Sequence, residues 1–336
     1  MRLTDFDYEL PPDRVAQTPI EPRDAARLLV DHGDAPPEHR RVSDLPSLLR
    51  TGDLVVLNET KVIPARLALR RGTGGAAEVL MLEPVDGERR VWEALVRPAR
   101  KLKPGETLFA PDGTPVVEIG GRTADGDTFT VSLVGSVDSL QLLETHGEMP
   151  LPPYITERLA DPDRYQTIYA RQPGSAAAPT AGLHVTDRLL VDLDRSGIGV
   201  AKVELVVGLD TFRPIATDDP LQHRMHTERY RVPEATLDAC RHAERVVAVG
   251  TTTVRALESA AQRQQLEGRT DIFIHRGFDW QLVDLMMTNF HLPRTTLLMM
   301  IDAFVGERWR TLYGEALTEG YRFLSFGDAM LLDRHA

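Results

Sequence analysis

At 336 residues with 42% hydrophobic content, the chain has material for about two domains with ordinary cores. A formal net charge of -11 argues against broad nucleic-acid contact, so any such contact must rest on local clusters of lysine and arginine. The single cysteine, Cys240, excludes an intramolecular disulfide, a multi-cysteine zinc site and a cysteine-held iron–sulfur cluster.

The N-terminal stretch carries Arg2, Asp5, Asp7 and Glu9 and has no apolar segment of the secretory kind. The apolar run from Thr296 to Ile301 stops at Asp302, far short of the ~20 residues that span a bilayer. A cytoplasmic protein with no membrane partner is expected. The spacing predicts a helix near Leu45–Arg50 and an apolar strand over Leu54–Leu57. Residues 61–149 then change character. Apolar runs at 77–82, 91–96, 116–119 and 128–133 alternate with turn dipeptides such as Asp86-Gly87, Pro104-Gly105, Asp112-Gly113 and Asp125-Gly126. Strands at this spacing predict a small β-barrel or sandwich. Arg97, Arg100, Lys101 and Lys103 cluster here, with Arg66, Arg70 and Arg71 upstream. The cluster is compatible with a nucleic-acid backbone; a solvated loop is the alternative reading.

From residue 150 onward strands and helices alternate, which predicts an α/β domain. The expected architecture is a discontinuous α/β main domain over 1–60 and 150–336, with the small barrel inserted at 61–149. The run Gly174–Pro179 is small and flexible in composition, either a mobile loop beside a site or a plain linker. His184 follows Gly182-Leu183, and Thr186 is placed to cap a helix over 187–194. A neutral histidine at a helix start can serve as donor or base; a satisfied histidine in a tight turn is the alternative. Val246–Val249 leads through Gly250 and Thr251, Thr252 and Thr253 into a predicted helix over 254–263. Such a turn aims amides and hydroxyls at the end of a strand, though it is neither a dinucleotide nor a Walker fingerprint; a plain βα turn with threonine capping is the alternative reading. Arg255 and Glu258 share one face of that helix. Thr288, Asn289 and His291 occupy a second polar turn, and Asp328 a third, where a backbone-bonding Asx turn is the plain reading. His223 and His226 lack a cysteine or carboxylate partner at metal spacing, so no metal is expected. Cys240 lies in a helical stretch and reads as a buried structural thiol.

Ten words of this sequence carry a resemblance when taken in order. They are Phe6–Pro11, Gly52–Asn58, Val62–Arg66, Trp92–Ala99, Pro150–Ile155, Arg164–Ala170, Ala178–Thr186, Val249–Glu258, Thr288–Pro293 and Tyr321–Met330. Together they resemble the S-adenosylmethionine:tRNA ribosyltransferase-isomerase family of queuosine biosynthesis. The resemblance implies the same discontinuous α/β fold with an inserted barrel. It implies transfer and isomerisation of the ribosyl part of S-adenosylmethionine onto 7-aminomethyl-7-deazaguanine at the tRNA wobble position, giving epoxyqueuosine and releasing adenine and methionine. S-adenosylmethionine is then a cosubstrate, with no resident cofactor. His184, His291 and Asp328 become candidates for acid–base work. Thr180, Gly182, Gly250, Thr251, Thr252, Thr253, Arg255, Thr288 and Asn289 become candidates for holding the donor. Arg66, Arg97, Arg100, Lys101 and Lys103 would meet the anticodon arm, and the enzyme is expected to act as a monomer. The segments Gly182–His184, Thr251–Thr253, Thr288–His291 and Ser325–Asp328 should line one pocket, because a donor of this size needs a concave site with convergent polar groups.

Some positions depart from the family pattern. The family word Leu-His-Val-Gly-x-Gly-Thr-Phe reads Leu205-Val-Val-Gly-Leu-Asp-Thr-Phe212 here, so Val206 replaces a histidine and Asp210 a glycine. Glu59 stands for Asp, Val185 for Phe, Arg276 for Pro and Leu285 for Gly. Two rival functions follow: a paralogue using the same donor on a non-tRNA acceptor, and a non-catalytic RNA-binding protein.

Overall fold

The structure, a computed structural model, describes residues 1–123, 126, 128–208, 215, 217, 219–223, 225 and 227–336. Asp125, in one of the expected turns, and Asp210 and His226 lie outside the described residues. The chain divides into two units. Met1–Thr60, Pro152–Gln172 and Pro179–Ala336 form one; Lys61–Leu151 and Pro173–Ala178 form the other.

The opening residues form single 3-10 turns at Leu3–Phe6, Pro12–Arg14 and Arg23–Ala25, the last two beginning at or just after a proline. Strands β1 (Arg27–His32) and β2 (Ala35–Arg41) follow as an antiparallel pair. β2 reads Ala-Pro-Pro-Glu-His-Arg-Arg, too polar and proline-rich to suggest a strand. It is tolerated because it is the edge of its sheet, where a missing amide is harmless. The helix expected near Leu45–Arg50 is a short α1 (Leu45–Leu48). β3 (Asp53–Asn58) is buried at every residue, as a central strand covered on both faces should be.

The inserted segment supplies β4 (Thr60–Val62), β5 (Arg66–Arg71), β6 (Ala76–Pro84), β7 (Val91–Arg97), β8 (Thr107–Phe109), β9 (Pro115–Arg122) and β10 (Phe129–Leu133). Then come α2 (Ser139–His146), β11 (Gly147–Glu148) and β12 (Gln172–Ser175). Strands β5, β6, β7, β10, β9 and β8 pair antiparallel in that order, and β8 returns to β5 through Arg70 opposite Phe109, which closes a barrel. Along β7 the odd partners point out while Trp92, Ala94 and Val96 are buried, the two-residue period of a filled barrel wall.

The sequence places residues 150–336 in the α/β unit and reads Gly174–Pro179 as a mobile loop or a plain linker; for residues 173–178 the structure differs. In the structure they belong to the second unit: Ile63 donates its amide to the Ser175 carbonyl at 3.1 Å, and Ser175 to Ala178 are buried. Small residues there fit a tight interior rather than a flexible tether.

The main unit continues with α3 (Asp187–Arg195), β13 (Gly199–Leu205), β14 (Glu228–Arg231), α4 (Glu234–His242), β15 (Arg245–Val249) and α5 (Thr251–Arg263). It closes with β16 (Glu267–Thr270), β17 (Leu285–Asn289), α6 (Thr296–Val305), α7 (Arg308–Thr318) and β18 (Ala329–Asp333). Nine strands make one mixed sheet in the order β16, β14, β13, β3, β15, β17, β18, β1, β2. Its centre, β13, β3, β15 and β17, is parallel throughout. Val249 stands beside both Leu57 and Met287, so these strands end together. Asn58, Leu205, Gly250 and Asn289 therefore share one edge of the sheet. The α/β class and the antiparallel barrel agree with the expectation from sequence.

Candidate active site

In an open α/β sheet, ligands bind outside the carboxyl ends of parallel strands. Those ends here carry most of the candidate residues. Asn289, the last residue of β17, is the hub. Its Oδ1 accepts from Thr180 Oγ1 at 2.9 Å, and its Nδ2 donates at 3.3 Å both to the Asp328 carbonyl and to His184 Nε2. A carbonyl can only accept, which fixes the Asn289 amide orientation. His184 Nε2 must then be an acceptor, leaving the proton on Nδ1.

His184 ends the 3-10 turn Thr180–His184 and is 4% exposed. Burial lowers its pKa to about 4; a hydrogen bond with the Arg23 backbone opposes this, and the charges of Arg322, Arg23 and Arg164 add to it. His291 lies two residues beyond Asn289, with Nε2 3.0 Å from Thr288 Oγ1, and burial lowers its pKa to about 3. Its amide donates to Tyr313 Oη at 3.0 Å, and its carbonyl accepts from Tyr8 Oη. Tyr8, Phe290, Tyr313 and Phe323 pack edge-on or stacked behind it, which makes this turn rigid. Both imidazoles are neutral at pH 7.

Asp328 behaves differently from a reacting carboxylate. Its Oδ1 accepts from the Arg27 amide at 2.9 Å and its Oδ2 from the Arg322 amide at 2.8 Å. The group ties β1 to the turn before β18; it bonds backbone amides, as expected, but those of Arg27 and Arg322 rather than the residue two positions on that an Asx turn would use. Its carbonyl, rather than its carboxylate, faces Asn289.

At the next strand end, Gly250 has φ of 89°, a conformation that favours glycine, and donates its amide to the Met287 carbonyl at 2.8 Å. A Cβ there would lie 3.6 Å from Ala181, which places the start of α5 against the turn bearing Thr180 and His184. Thr253 donates to the Val249 carbonyl at 2.6 Å. Thr252 accepts from Asn58 Nδ2 at 3.2 Å, and Asn58 also holds both backbone groups of Leu205. Thr251 is buried in the same first turn. Asn58 was missed as a site residue because its word reads simply as the end of a strand.

Arg255 and Glu258 share a helix face but do not pair. Glu258 accepts from the amides of Gln281, Leu282 and Val283. Arg255 instead pairs through Nη1 with Glu228, whose Oε1 accepts from the Gly208 amide at 3.2 Å. Arg255 Nε and Nη2 are buried without a partner. So are Thr60 Oγ1, Thr167 Oγ1 and Tyr169 Oη. Tyr169 points at Gly182: a Cβ on Gly182 would lie 2.0 Å from its hydroxyl and 3.1 Å from Thr167 Cγ2. None of these unmet groups except Arg255 stood out in the sequence, since a tyrosine or threonine on an apolar stretch reads as core.

In the barrel unit Arg97, Arg100, Lys101 and Lys103 are exposed, and among the described residues they form no ion pair. Arg66 is half-buried; it lies 4.0 Å from Glu78 and donates to the Leu151 carbonyl at 3.4 Å. Arg71 is held by Glu106 at 2.6 Å and leaves the free set. Among the described residues no group of three or more histidine, cysteine or acidic side chains is placed to hold a metal, and no helix is long and apolar enough to cross a membrane. Cys240 is buried, and burial with the nearby Glu258 charge pushes its thiol up to about 12.

Among the departures from the family pattern, Arg276 and Glu59 have local charge partners, and nothing in the structure explains Val206. Arg276 forms a two-point pair with the buried Asp302, at 2.7 and 3.1 Å. Val185 and Leu285 lie in the core under the sheet. Glu59 sits 3.5 Å from Lys202.

Comparison with known proteins shows the family to which the chain belongs. The family profile described as queuosine biosynthesis protein matches residues 3–332. The S-adenosylmethionine:tRNA ribosyltransferase-isomerase of Moorella thermoacetica is 51% identical over 343 residues, covering 99% of this chain and 100% of that protein. The Symbiobacterium thermophilum protein of the same name is 50% identical over 344 residues, with coverage of 99% and 100%. A crystal structure of S-adenosylmethionine tRNA ribosyltransferase from Thermotoga maritima superposes with a TM-score of 0.55 at 37% identity, covering 97% of this chain and 99% of that one. With a matched span from residue 3 to residue 332 and full-length relatives about half identical, the chain belongs to the family of queuosine biosynthesis proteins.

Proposed function

We propose that this enzyme transfers and isomerises the ribosyl moiety of S-adenosylmethionine onto 7-aminomethyl-7-deazaguanine at the tRNA wobble position. The product is epoxyqueuosine, and adenine and methionine leave. The observation that carries the reading, beside family membership, is the Thr180–Asn289–His184 bond network at the carboxyl ends of the parallel strands. S-adenosylmethionine is a cosubstrate and no resident cofactor takes part.

The chemistry requires a proton to leave the 5′ carbon, which the sulfonium acidifies, and adenine to depart with a proton on its ring. Neutral His184 and His291 are the proposed proton-handling groups. Their low pKa values keep both imidazoles neutral at pH 7, at some cost in basicity, and His184 Nε2 must exchange its bond from Asn289 to take a proton. Asp328 acts as a positioning residue, since both carboxylate oxygens are held by amides. Thr180, Gly182, Gly250, Thr251, Thr252, Thr253, Arg255, Thr288 and Asn289 surround the donor. The unmet hydroxyls of Tyr169 and Thr167 gain partners when its polar groups arrive. Arg66, Arg97, Arg100, Lys101 and Lys103 hold the anticodon arm, whose wobble base is single-stranded and can be splayed out. The protein works in the cytoplasm as a monomer.

The test is incubation with S-adenosylmethionine and tRNA carrying the aminomethyl-deazaguanine, with mass analysis of the products. Adenine release together with an epoxyqueuosine-containing nucleoside is expected. Adenine release without change to the tRNA would point to a different acceptor.

A further inference from the structure

Arg255 is 5% exposed, yet among the described residues only one of its three guanidinium nitrogens has a partner. Nη1 faces Glu228, while Nε and Nη2, which form the side-on edge of the guanidinium, have none. Unpaired buried donors on a charged group are expensive, and that edge presents two parallel N–H groups at the spacing of a carboxylate. Three further features favour an anion beside it. The residue lies one turn into α5, whose N-terminus has no side-chain cap and carries a partial positive charge. Gly208, whose amide bonds Glu228, has no described atom within 4 Å of the position a Cβ would take. Glu228 already neutralises the guanidinium but leaves the two N–H groups of its free edge unsatisfied, so a further acceptor there meets a hydrogen-bonding need of a buried fork rather than neutralising a lone cation.

We infer that the Nε–Nη2 edge of Arg255 binds the α-carboxylate of the methionyl part of the donor in a two-point pair. This rests on the donor assignment above and specifies which end of the donor lies against α5. The reacting 5′ carbon and the adenine are then left toward the Asn289 side of the same sheet edge. Glu228 keeps the guanidinium plane fixed so that the free edge is preorganised for the carboxylate.

The experiment compares calorimetric binding of S-adenosylmethionine with that of its analogue lacking the carboxylate, on the full-length protein. The wild type is expected to prefer S-adenosylmethionine by roughly 10- to 100-fold, the usual range for a charge-assisted two-point contact. Arg255→Lys keeps a cation beside Glu228 but removes the fork. Arg255→Gln combined with Glu228→Gln removes both charges and protects against loss of folding through an unpaired buried acid. Thermal melting of each variant shows that it is folded. Both variants are expected to bind the two ligands within about threefold of each other, and to bind the analogue about as well as the wild type does. A wild type that does not discriminate overturns the inference, as do variants that retain the preference. If the variants instead lose affinity for tRNA with a shallower salt dependence and keep their donor preference, the fork serves a phosphate and the inference falls. If the wild type binds no S-adenosylmethionine at all, the donor assignment fails first and this inference with it.

Discussion

The two buried histidines make stability dependent on acidity in a way that can be separated from the rest of the protein. His184 and His291 are held neutral, with pKa values of about 4 and about 3 against 6.5 in an unfolded chain. Below pH 6.5 the unfolded state takes up protons that the folded state refuses. Their contribution is therefore fully present above pH 6.5 and is lost as pH falls toward 4 for His184 and toward 3 for His291. Between pH 7.5 and pH 5 each histidine should remove about 2 kcal/mol of stability, about 4 together, on top of whatever the carboxylates contribute. Urea unfolding followed by circular dichroism at half-unit steps of pH gives the curve. The comparison variants are His184→Gln and His291→Gln, and the quantity read is the difference in pH slope, not absolute stability. Each variant should flatten the slope below pH 6.5 by roughly 1.4 kcal/mol per pH unit. Ring proton shifts would follow the same groups directly, with neither imidazole titrating above pH 5. An unchanged slope in His184→Gln, or a ring titrating near 6.5, would refute the claim that this imidazole is buried, neutral and accepting from Asn289.

Other outcomes follow from the same geometry. Asn289→Leu should cost about 1–3 kcal/mol by stranding Thr180 and His184, and should lower donor binding; a calorimetric profile equal to wild type would count against the hub. His184→Ala should reduce turnover ~10²–10⁴-fold while donor affinity changes far less, measured by single-turnover adenine release. Reversing Lys101 and Lys103 to glutamate should weaken tRNA binding and reduce the salt slope by about 1–2, read from filter binding over a range of potassium chloride; unchanged binding removes the anticodon-arm role. Gly182→Ala should destabilise the fold because the new methyl meets the Tyr169 hydroxyl at 2.0 Å, and Tyr169→Phe should relieve part of it, since the next ring atom lies at 3.2 Å. Additive melting temperatures in the double variant would sink that contact.

Much of the architecture was legible because its strands obey simple periods. β7 alternates and β3 is apolar throughout, so barrel wall and central strand announce themselves. β2 was not legible, because an edge strand needs neither alternation nor amides, and its two prolines argue for a turn. Residues 173–178 misled for a related reason: glycine, serine and alanine look alike in a linker and in a crowded interior. At the site, the turns bearing His184, Asn289 and Asp328 were visible through their residue types. What could not be read was how their polar atoms pair. The helix spacing of Arg255 and Glu258 suggested one partner. Glu228, from a different strand, proved to be the other.

That distinction separates two kinds of buried polar residue. Asn58, Glu258, Thr253 and Asp328 direct side-chain atoms at backbone groups of neighbouring segments. They define the shape of the sheet edge, and a ligand would have to break those bonds to use them. Arg255, Thr167, Tyr169 and Thr60 retain buried atoms without partners. Each such atom destabilises the fold by about 1–3 kcal/mol, and more for a charged group. Folding alone would replace them with phenylalanine, valine or leucine of similar size. Tyr169 and Thr167 lie against Gly182, two residues before His184, where the polar groups of a ligand would satisfy them. On this argument Tyr169→Phe should leave the free protein as stable as before or more so, and should weaken the donor complex. A variant less stable when empty would place the hydroxyl among the structural groups.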